Sequence, residues 1–187
     1  FERVLSPPMM PLKESSMSDT WEKWNYFPSS VYQLDKPEFL DSVMPVAYEY
    51  LDLTVAEKDI DPVYSICQTF NFSNDERIVE FASYIAQTGW NILDDQGFNM
   101  QSKQTYIDSL WMHYYLKSGS MDYHVHPNGS VISGFYILEA PEKCSDIVIH
   151  DPRPGKVQAD FGYDFERELN ERHNMIYFRP TLGMMFF

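Results

Sequence analysis

The sequence is poor in cysteine, in basic residues and in long apolar runs, and each shortage excludes a class of protein. Its 187 residues include two cysteines, Cys67 and Cys144, whose spacing fits neither a zinc site nor a disulfide framework. We therefore expect reduced thiols and a cytoplasmic protein. Lys and Arg number 14 against 28 Asp and Glu, and the net charge of −14 argues against binding to nucleic acid or to an anionic membrane surface. No run approaches the roughly 20 apolar residues of a membrane span, and no basic segment followed by an apolar core marks a signal peptide.

Several common catalytic motifs are also missing. The chain contains no His-Glu-x-x-His, no Cys-x-x-Cys, no Gly-x-x-x-x-Gly-Lys and no Gly-x-Ser-x-Gly. What it has is apolar and aromatic residues, at 44% and 16%, enough to fill a sizeable core. We predict an irregular N-terminal arm over residues 1–25, where Pro, Met and Ser are frequent, and a single domain over residues 26–187.

Two helices are predicted in the first half of that domain. The first begins at Pro37, and Pro45 is expected to kink or restart it. The second is capped by Ser73 or Asn74 and ends before Gly97. Apolar side chains recur at helical spacing on both helices and are expected to face the core rather than a cofactor. They are Phe39, Leu40, Val43, Val46, Ala47 and Tyr50 on the first helix, and Ile78, Phe81, Ala82, Ile85, Trp90 and Leu93 on the second.

Strands are predicted mainly in the second half. After about residue 103, short β-branched or aromatic runs alternate with Gly, Pro and Asn turns. The runs are 109–116, 131–138, 146–150, 175–178 and 183–187, and an earlier short strand is expected around 26–34. Helices over about 38–95 followed by antiparallel strands over about 103–187 predict an α+β, mainly β domain. In that arrangement two helices pack on one face of a barrel built from two layers of sheet.

The most informative stretch is 123–130, Tyr-His-Val-His-Pro-Asn-Gly-Ser. In an extended chain residues i and i+2 point to the same face, so His124 and His126 would aim their imidazole rings at one point. A Pro-Asn-Gly turn then leads into the next predicted strand. The pair therefore predicts a metal site at a strand end. Imidazole suits Fe(II), Zn(II), Cu(II) and Ni(II), so the ligands alone do not select the metal.

This stretch, together with Ser-Gly-Phe-Tyr at 133–136, resembles the metal-binding core of 2-oxoglutarate (2OG)/Fe(II)-dependent dioxygenases, especially the prolyl-hydroxylase-like branch. It is most similar to a set of bacterial and phage 2OG-Fe(II) oxygenases with a His-x-His-Pro-Asn pattern. Two further landmarks of that set have counterparts here, the His-Asp-Pro-Arg at 150–153 and the Tyr-Phe-Pro-Ser-Ser-Val-Tyr at 26–32. The matching landmarks span roughly residues 26–187.

The resemblance implies a double-stranded β-helix, or jelly roll, with N-terminal helices packed on one sheet and Fe(II) at its mouth. His124 would be the first ligand, and His126 would hold the place of the usual carboxylate, which lowers the negative charge at the metal and puts the native metal in question. The family's third ligand, a distal His, and the Arg that binds the 2OG carboxylate follow a segment similar to 180–187. We therefore expect both beyond Phe187, with the C-terminal part of the domain missing from this sequence. Tyr115, Tyr123 and Phe135 are the candidate cosubstrate-binding residues.

Three other residues near these motifs have simpler expected roles. The strand of His113 could face the same cavity, so that His113 orients a ligand without binding the metal. His173 lies in a polar Glu-Arg-His-Asn segment and is expected at the surface. Arg153 is expected to pair with Asp151 or another acid rather than to anchor 2OG.

The expected function is a 2OG- and Fe(II)-dependent oxygenase that uses O2 to hydroxylate an unactivated C–H bond of a small molecule or a protein side chain, prolyl residues included. Two alternatives stay open: a cupin-like metal enzyme that does not use 2OG, and a non-enzymatic jelly-roll interaction module. A downstream His followed by an Arg would favour the oxygenase, and failure to bind any divalent metal would favour the module. The partner is expected to be a small-molecule or protein substrate, and the sequence does not fix the oligomeric state.

Overall fold

Two helices and seven short strands form the part of the chain that the structure describes. The computed structural model describes residues 29–58, 60, 63–126, 129–153 and 173–187. The elements are β1 (Gln33–Asp35), α1 (Leu40–Glu57), β2 (Ile66–Gln68), α2 (Val79–Asp95), β3 (His113–Tyr115), β4 (Phe135–Tyr136), β5 (Ile147–His150), β6 (Met175–Phe178) and β7 (Met184–Phe186). The predicted arm over 1–25 lies outside the described residues, as do positions 26–28 of the first predicted strand.

The first helix is continuous through its proline. A 3₁₀ turn at Pro37–Phe39 leads into α1, and Pro45 lies inside the helix. The expectation that Pro45 restarts the helix is therefore wrong. An internal proline costs about 3 kcal/mol because it removes a backbone donor and crowds the preceding turn. Val43 and Val46 are 3% and 2% exposed, and burial of each such side chain stabilises by about 1.5–3 kcal/mol, which offsets that cost.

The second helix begins later than the predicted caps and ends where predicted. Asp75, rather than Ser73 or Asn74, caps the 3₁₀ turn Glu76–Ile78 that leads into α2, and its Oδ1 accepts a hydrogen bond from the Arg77 backbone N–H at 3.0 Å. The helix stops at Asp95, and Gly97 follows in the left-handed region with φ +87°. The predicted core face is confirmed at its ends, where Phe81 and Leu93 are buried.

A three-stranded antiparallel sheet carries the core against both helices. Its order is β1-β7-β4, and the register places Leu34 and Tyr136 on either side of Met185. That row packs against the buried cluster of both helices, whereas Phe186 in the next row contacts Phe178 of β6, with ring centroids 4.6 Å apart. The core cluster consists of Val43, Val46, Ala47, Phe72, Ile78, Phe81 and Met185.

Two smaller sheets complete the described structure. They pair β2 with β3 and β5 with β6, both antiparallel. The strands predicted in the second half are all found, β6 with the predicted bounds and the other four shorter. β2 was missed, and it lies between the helices rather than after them. Its three residues, Ile66–Gln68, are too few to show alternation.

The fold class is consistent with α+β, although "mainly β" does not hold among the described residues, because the two α-helices contain more residues than the seven strands. The sheets are three separate pieces over the described ranges, so the jelly roll remains a prediction. In the same part of the chain, neither α-helix is long and apolar enough to cross a membrane.

Candidate functional site

The site is built on one face of the β2–β3 sheet. Side chains alternate along the extended segment 110–115, so that Leu110 and Met112 pack on the core while Trp111 and His113 lie on the opposite side. The register pairs Gln68 of β2 with His113 of β3, and their side chains meet at 3.0 Å. Core packing of one face therefore fixes which side chains the other face presents.

His124 and His126 lie close together, as predicted from their spacing. Their ring centroids are 5.3 Å apart and the rings are inclined by 48°. Both side chains are exposed. A metal about 2.1 Å from each coordinating nitrogen places the centroids of two neighbouring imidazole ligands about 4.5–5.5 Å apart. The observed separation fits two ligands of one metal ion.

The orientation of His124 is set by a backbone contact. Its Nδ1 lies 2.7 Å from the carbonyl oxygen of Asp122. A carbonyl only accepts, so Nδ1 carries the proton, and in the neutral imidazole Nε2 then keeps the lone pair that a metal requires. The Asp122 carboxylate in turn accepts a hydrogen bond from the Tyr64 hydroxyl at 2.9 Å, which ties this segment to the start of β2. A histidine ligand whose second nitrogen donates to a carbonyl is a common arrangement at metal sites.

His126 has an aromatic neighbour. The indole of Trp111 is stacked on it, with centroids 6.1 Å apart and an angle of 21° between the planes. The Trp111 Nε1–H lies 3.1 Å from Nε2 of His113. The histidine pair is thereby attached to the β2–β3 sheet through one aromatic side chain.

His113 lies on the same sheet face as Trp111, and its Nε2 is next to the Gln68 side chain. Burial, together with the nearby His124 and His126, lowers the pKa of its imidazole below the usual value. The lowered pKa favours the neutral form of His113, which avoids placing a positive charge next to His124 and His126. Burial likewise raises the pKa of the Tyr115 phenol, which stays protonated and able to donate. The structure thus places His113 where the sequence suggested an orienting role, which remains a prediction.

The three predicted cosubstrate-binding residues occupy different places. Tyr115 is next to His113, with ring centroids 6.1 Å apart, and belongs to the same face of β3. Tyr123 is 67% exposed, and its ring lies 4.7 Å from that of His150 at the end of β5. Phe135 lies on β4 opposite Phe186, and among the described residues it forms no ring contact with either histidine of the pair. Their roles stay predictions.

Arg153 pairs with Asp151, as expected. Its guanidinium lies 2.5 Å from the Asp151 carboxylate.

The remaining predicted residues are only partly described. His173 is half-buried, and the first two residues of its polar segment, 171–172, lie outside the described residues. Pro127 and Asn128 of the predicted turn also lie outside them. Gly129 of that turn has φ +82°. Both cysteines are free thiols.

The donor set fits part of a metal site. The two imidazoles fit by distance, and the proton position on His124 fits as well. Over the described ranges, no three His, Cys, Asp or Glu side chains are grouped closely enough to hold a metal ion. The described residues thus offer two candidate metal donors, His124 and His126. A cavity of about 320 Å³ adjoins the same sheet and shares Gln68 with the site. It is lined by Thr54, Lys58, Tyr64, Ile66, Cys67, Gln68, Thr69 and Met121.

Comparison with known proteins adds one match. Residues 109–187 match the family model described as "Putative 2OG-Fe(II) oxygenase". The match supports the 2OG-Fe(II) oxygenase superfamily. It contains β3 to β7 and both histidines of the pair, and it covers less than half of the chain. The family implies Fe(II), 2OG and O2, and it supports an oxygenase enzyme. No curated protein and no solved structure matches the chain.

Sequence reasoning missed three parts of the site. They are Trp111, Gln68 and the backbone carbonyl of Asp122. Trp111 could have been found, because it is two residues before His113 in an extended run and so shares its face. Gln68 and the carbonyl carry no such signal, since their positions depend on the pairing of β2 with β3 and on the local path of the chain.

Proposed function

We propose that the protein is a 2OG- and Fe(II)-dependent oxygenase that hydroxylates an unactivated C–H bond of a small molecule or a protein side chain, prolyl residues among the candidates. The observation that carries the proposal is the His124–His126 pair, with rings 5.3 Å apart, inside the segment that matches the oxygenase family. When bound, iron together with 2OG and O2 supplies the oxidising chemistry: 2OG becomes succinate and CO2, and one oxygen atom enters the substrate C–H bond.

The residues of this chain would prepare the site in two ways. His124 would bind through Nε2, because Nδ1 is engaged by the Asp122 carbonyl. His126 would bind from the adjacent position, and two neutral imidazoles in place of one imidazole and one carboxylate leave the metal one unit more positive. That charge favours binding of a dianionic keto-acid. The third ligand and the cation for its distal carboxylate are proposed to follow Phe187.

Tyr115 is proposed to help hold the cosubstrate. It shares the β3 face with His113, and its raised pKa keeps the phenol a hydrogen-bond donor. Tyr123 and Phe135 are proposed to border the substrate side. The net charge of −14 supports a small-molecule or protein substrate over a nucleic acid. A cytoplasmic location with reduced Cys67 and Cys144 is proposed because the chain has only these two cysteines, and their spacing does not suggest a disulfide framework.

The test is an anaerobic titration with Fe(II) and 2OG, monitored by the weak visible charge-transfer band of the chelated keto-acid. The proposal expects a band that needs both additions and disappears in His124→Ala and His126→Ala. His173→Ala is the matched control, because it removes an imidazole from a half-buried position outside the pair. A band in the polypeptide that continues past Phe187 but not in these 187 residues locates the third ligand there.

Two results contradict the proposal. Metal binding without a band in the longer polypeptide supports a cupin-like enzyme that does not use 2OG. Absence of any divalent-metal binding supports the interaction module.

A further inference from the structure

Trp111 has a contact pattern that the proposed chemistry does not itself require. It is half-buried on the β2–β3 face, and its indole is inclined by only 21° to the His126 ring. An exposed histidine has a broad, roughly two-fold preference in its second side-chain torsion, so its ring plane is poorly fixed by the backbone alone. The stack supplies the missing constraint at His126, as the Asp122 carbonyl does at His124.

The indole is held in place at its other edge. Its Nε1–H points to Nε2 of His113 at 3.1 Å, and the same nitrogen lies 3.0 Å from Oε1 of Gln68. An indole N–H only donates and an amide oxygen only accepts, so these two contacts need opposite protonation states of Nε2. The indole contact requires the unprotonated nitrogen. Gln68 suits the unprotonated Nε2 when its amide nitrogen, rather than its amide oxygen, faces the His113 ring. This exchange needs only a rotation of the Gln68 side chain and leaves the backbone in place.

We propose that Trp111 is a positioning residue for the metal site, which fixes the plane of the His126 imidazole so that its coordinating nitrogen faces the same point as that of His124. The inference rests on the proposed function, since it needs the pair to bind a metal. In this role Trp111 would act through His126 and would not itself bind the metal. Its effect is to order the second ligand before binding, which raises affinity by reducing the conformational freedom lost when the metal binds.

The first experiment measures Co(II) affinity by calorimetry in the 187-residue chain, with Co(II) as the only added ligand. Trp111→Leu removes the stack, and Trp111→Phe keeps an aromatic ring but loses the N–H anchor. We expect roughly tenfold weaker binding for the leucine variant, as for other groups that orient metal ligands, and an intermediate loss for the phenylalanine variant. Trp90→Phe is the matched control, because Trp90 lies on α2 and its indole donates to the Lys103 carbonyl rather than to the β2–β3 face.

A second readout reports the geometry directly. In ¹H–¹⁵N spectra, each tryptophan indole N–H gives its own signal, and paramagnetic Co(II) shifts or broadens the signals of nearby groups. The Trp111 indole should respond at the lowest Co(II) concentration, whereas the Trp90 indole should be unaffected. The Trp111 response should vanish in His126→Ala.

The outcomes separate this inference from the proposed function. Parental affinity in both Trp111 variants, with binding still lost in His126→Ala, overturns the positioning role and leaves the metal site intact. No Co(II) binding by the parent chain, nor by the polypeptide that continues past Phe187, overturns the metal site and, with it, the role given to Trp111. If Trp111→Leu does not fold, the phenylalanine variant and the indole signals still decide the question.

Discussion

Replacement of Gly183 by alanine tests how tightly the central sheet is joined to the start of the domain. Gly183 precedes β7 with φ +82°; its N–H donates to the Ile137 carbonyl at 2.9 Å, and its carbonyl accepts from the Lys36 N–H at 2.8 Å. A β-carbon at this position would lie 2.7 Å from Cα and 2.9 Å from N of Pro37. Both are backbone atoms, so neither can move aside without displacing the chain that leads into α1.

The expected loss has two parts. A left-handed conformation costs a residue with a β-carbon about 1–2 kcal/mol, and an overpacked contact adds about 1–3 kcal/mol. Gly183→Ala should therefore lower the free energy of unfolding by about 2–5 kcal/mol, and a chain of this size loses about 2–4 °C in melting temperature per kcal/mol. A fall of roughly 10 °C is expected in thermal unfolding followed by circular dichroism.

Gly97→Ala is the matched control. Gly97 has nearly the same backbone angle, φ +87°, but nothing lies within 4 Å of an added β-carbon. Only the conformational cost of about 1–2 kcal/mol applies to it. If the two variants unfold at the same temperature, the contact with Pro37 does not constrain the native chain, and the reasoning about the sheet junction is wrong.

Three further predictions concern the site, the cap and the core. His124→Ala should abolish Co(II) binding measured by calorimetry while leaving the far-ultraviolet spectrum unchanged; an unfolded variant would instead show that the pair is structural. Hydrogen bonds from Arg77 lower the pKa of Asp75 to about 2, so its charge should stabilise the fold above the usual value of 3.8 and lose that effect as the pH falls toward 2. Asp75→Asn keeps a capping oxygen without the charge, so urea midpoints of parent and variant should converge across that interval, and a constant difference would contradict this. Phe81 is 1% exposed, and Phe81→Ala should cost about 3–5 kcal/mol in urea unfolding; a loss below 1 kcal/mol would show that the core cluster is mispacked.

Elements with long periodic patterns were predictable from the sequence, whereas those that depend on a distant partner were not. The helical stripe from Ile78 to Leu93 carries its own periodicity, and the runs that became β5 and β6 are marked by β-branched or aromatic residues between turns. Pro45 misled the prediction because local propensity counts a missing hydrogen bond but not the burial of Val43 and Val46 beside it. β2 escaped because three residues contain no measurable period.

The site shows the same division. Proximity of His124 and His126 follows from a two-residue spacing, which the sequence displays. What fixes each ring plane does not follow from spacing, because the constraint comes from a carbonyl two residues earlier in one case and from Trp111 in the other. Sequence motifs therefore predict which atoms could bind, while the orienting contacts require the folded chain.

The position of β7 has a consequence for synthesis of the protein on the ribosome. β7 is the middle strand of its sheet, yet it is translated after β1, both helices and β4. Until Met185 has emerged, the apolar faces of α1 and α2 lack one side of their core, and β1 and β4 lack the neighbour that joins them. Pairing between segments so distant in the chain is slow, and exposed apolar helices invite association in the meantime. Nascent chains that stall before β7 should therefore depend on chaperones more than chains that stall after it.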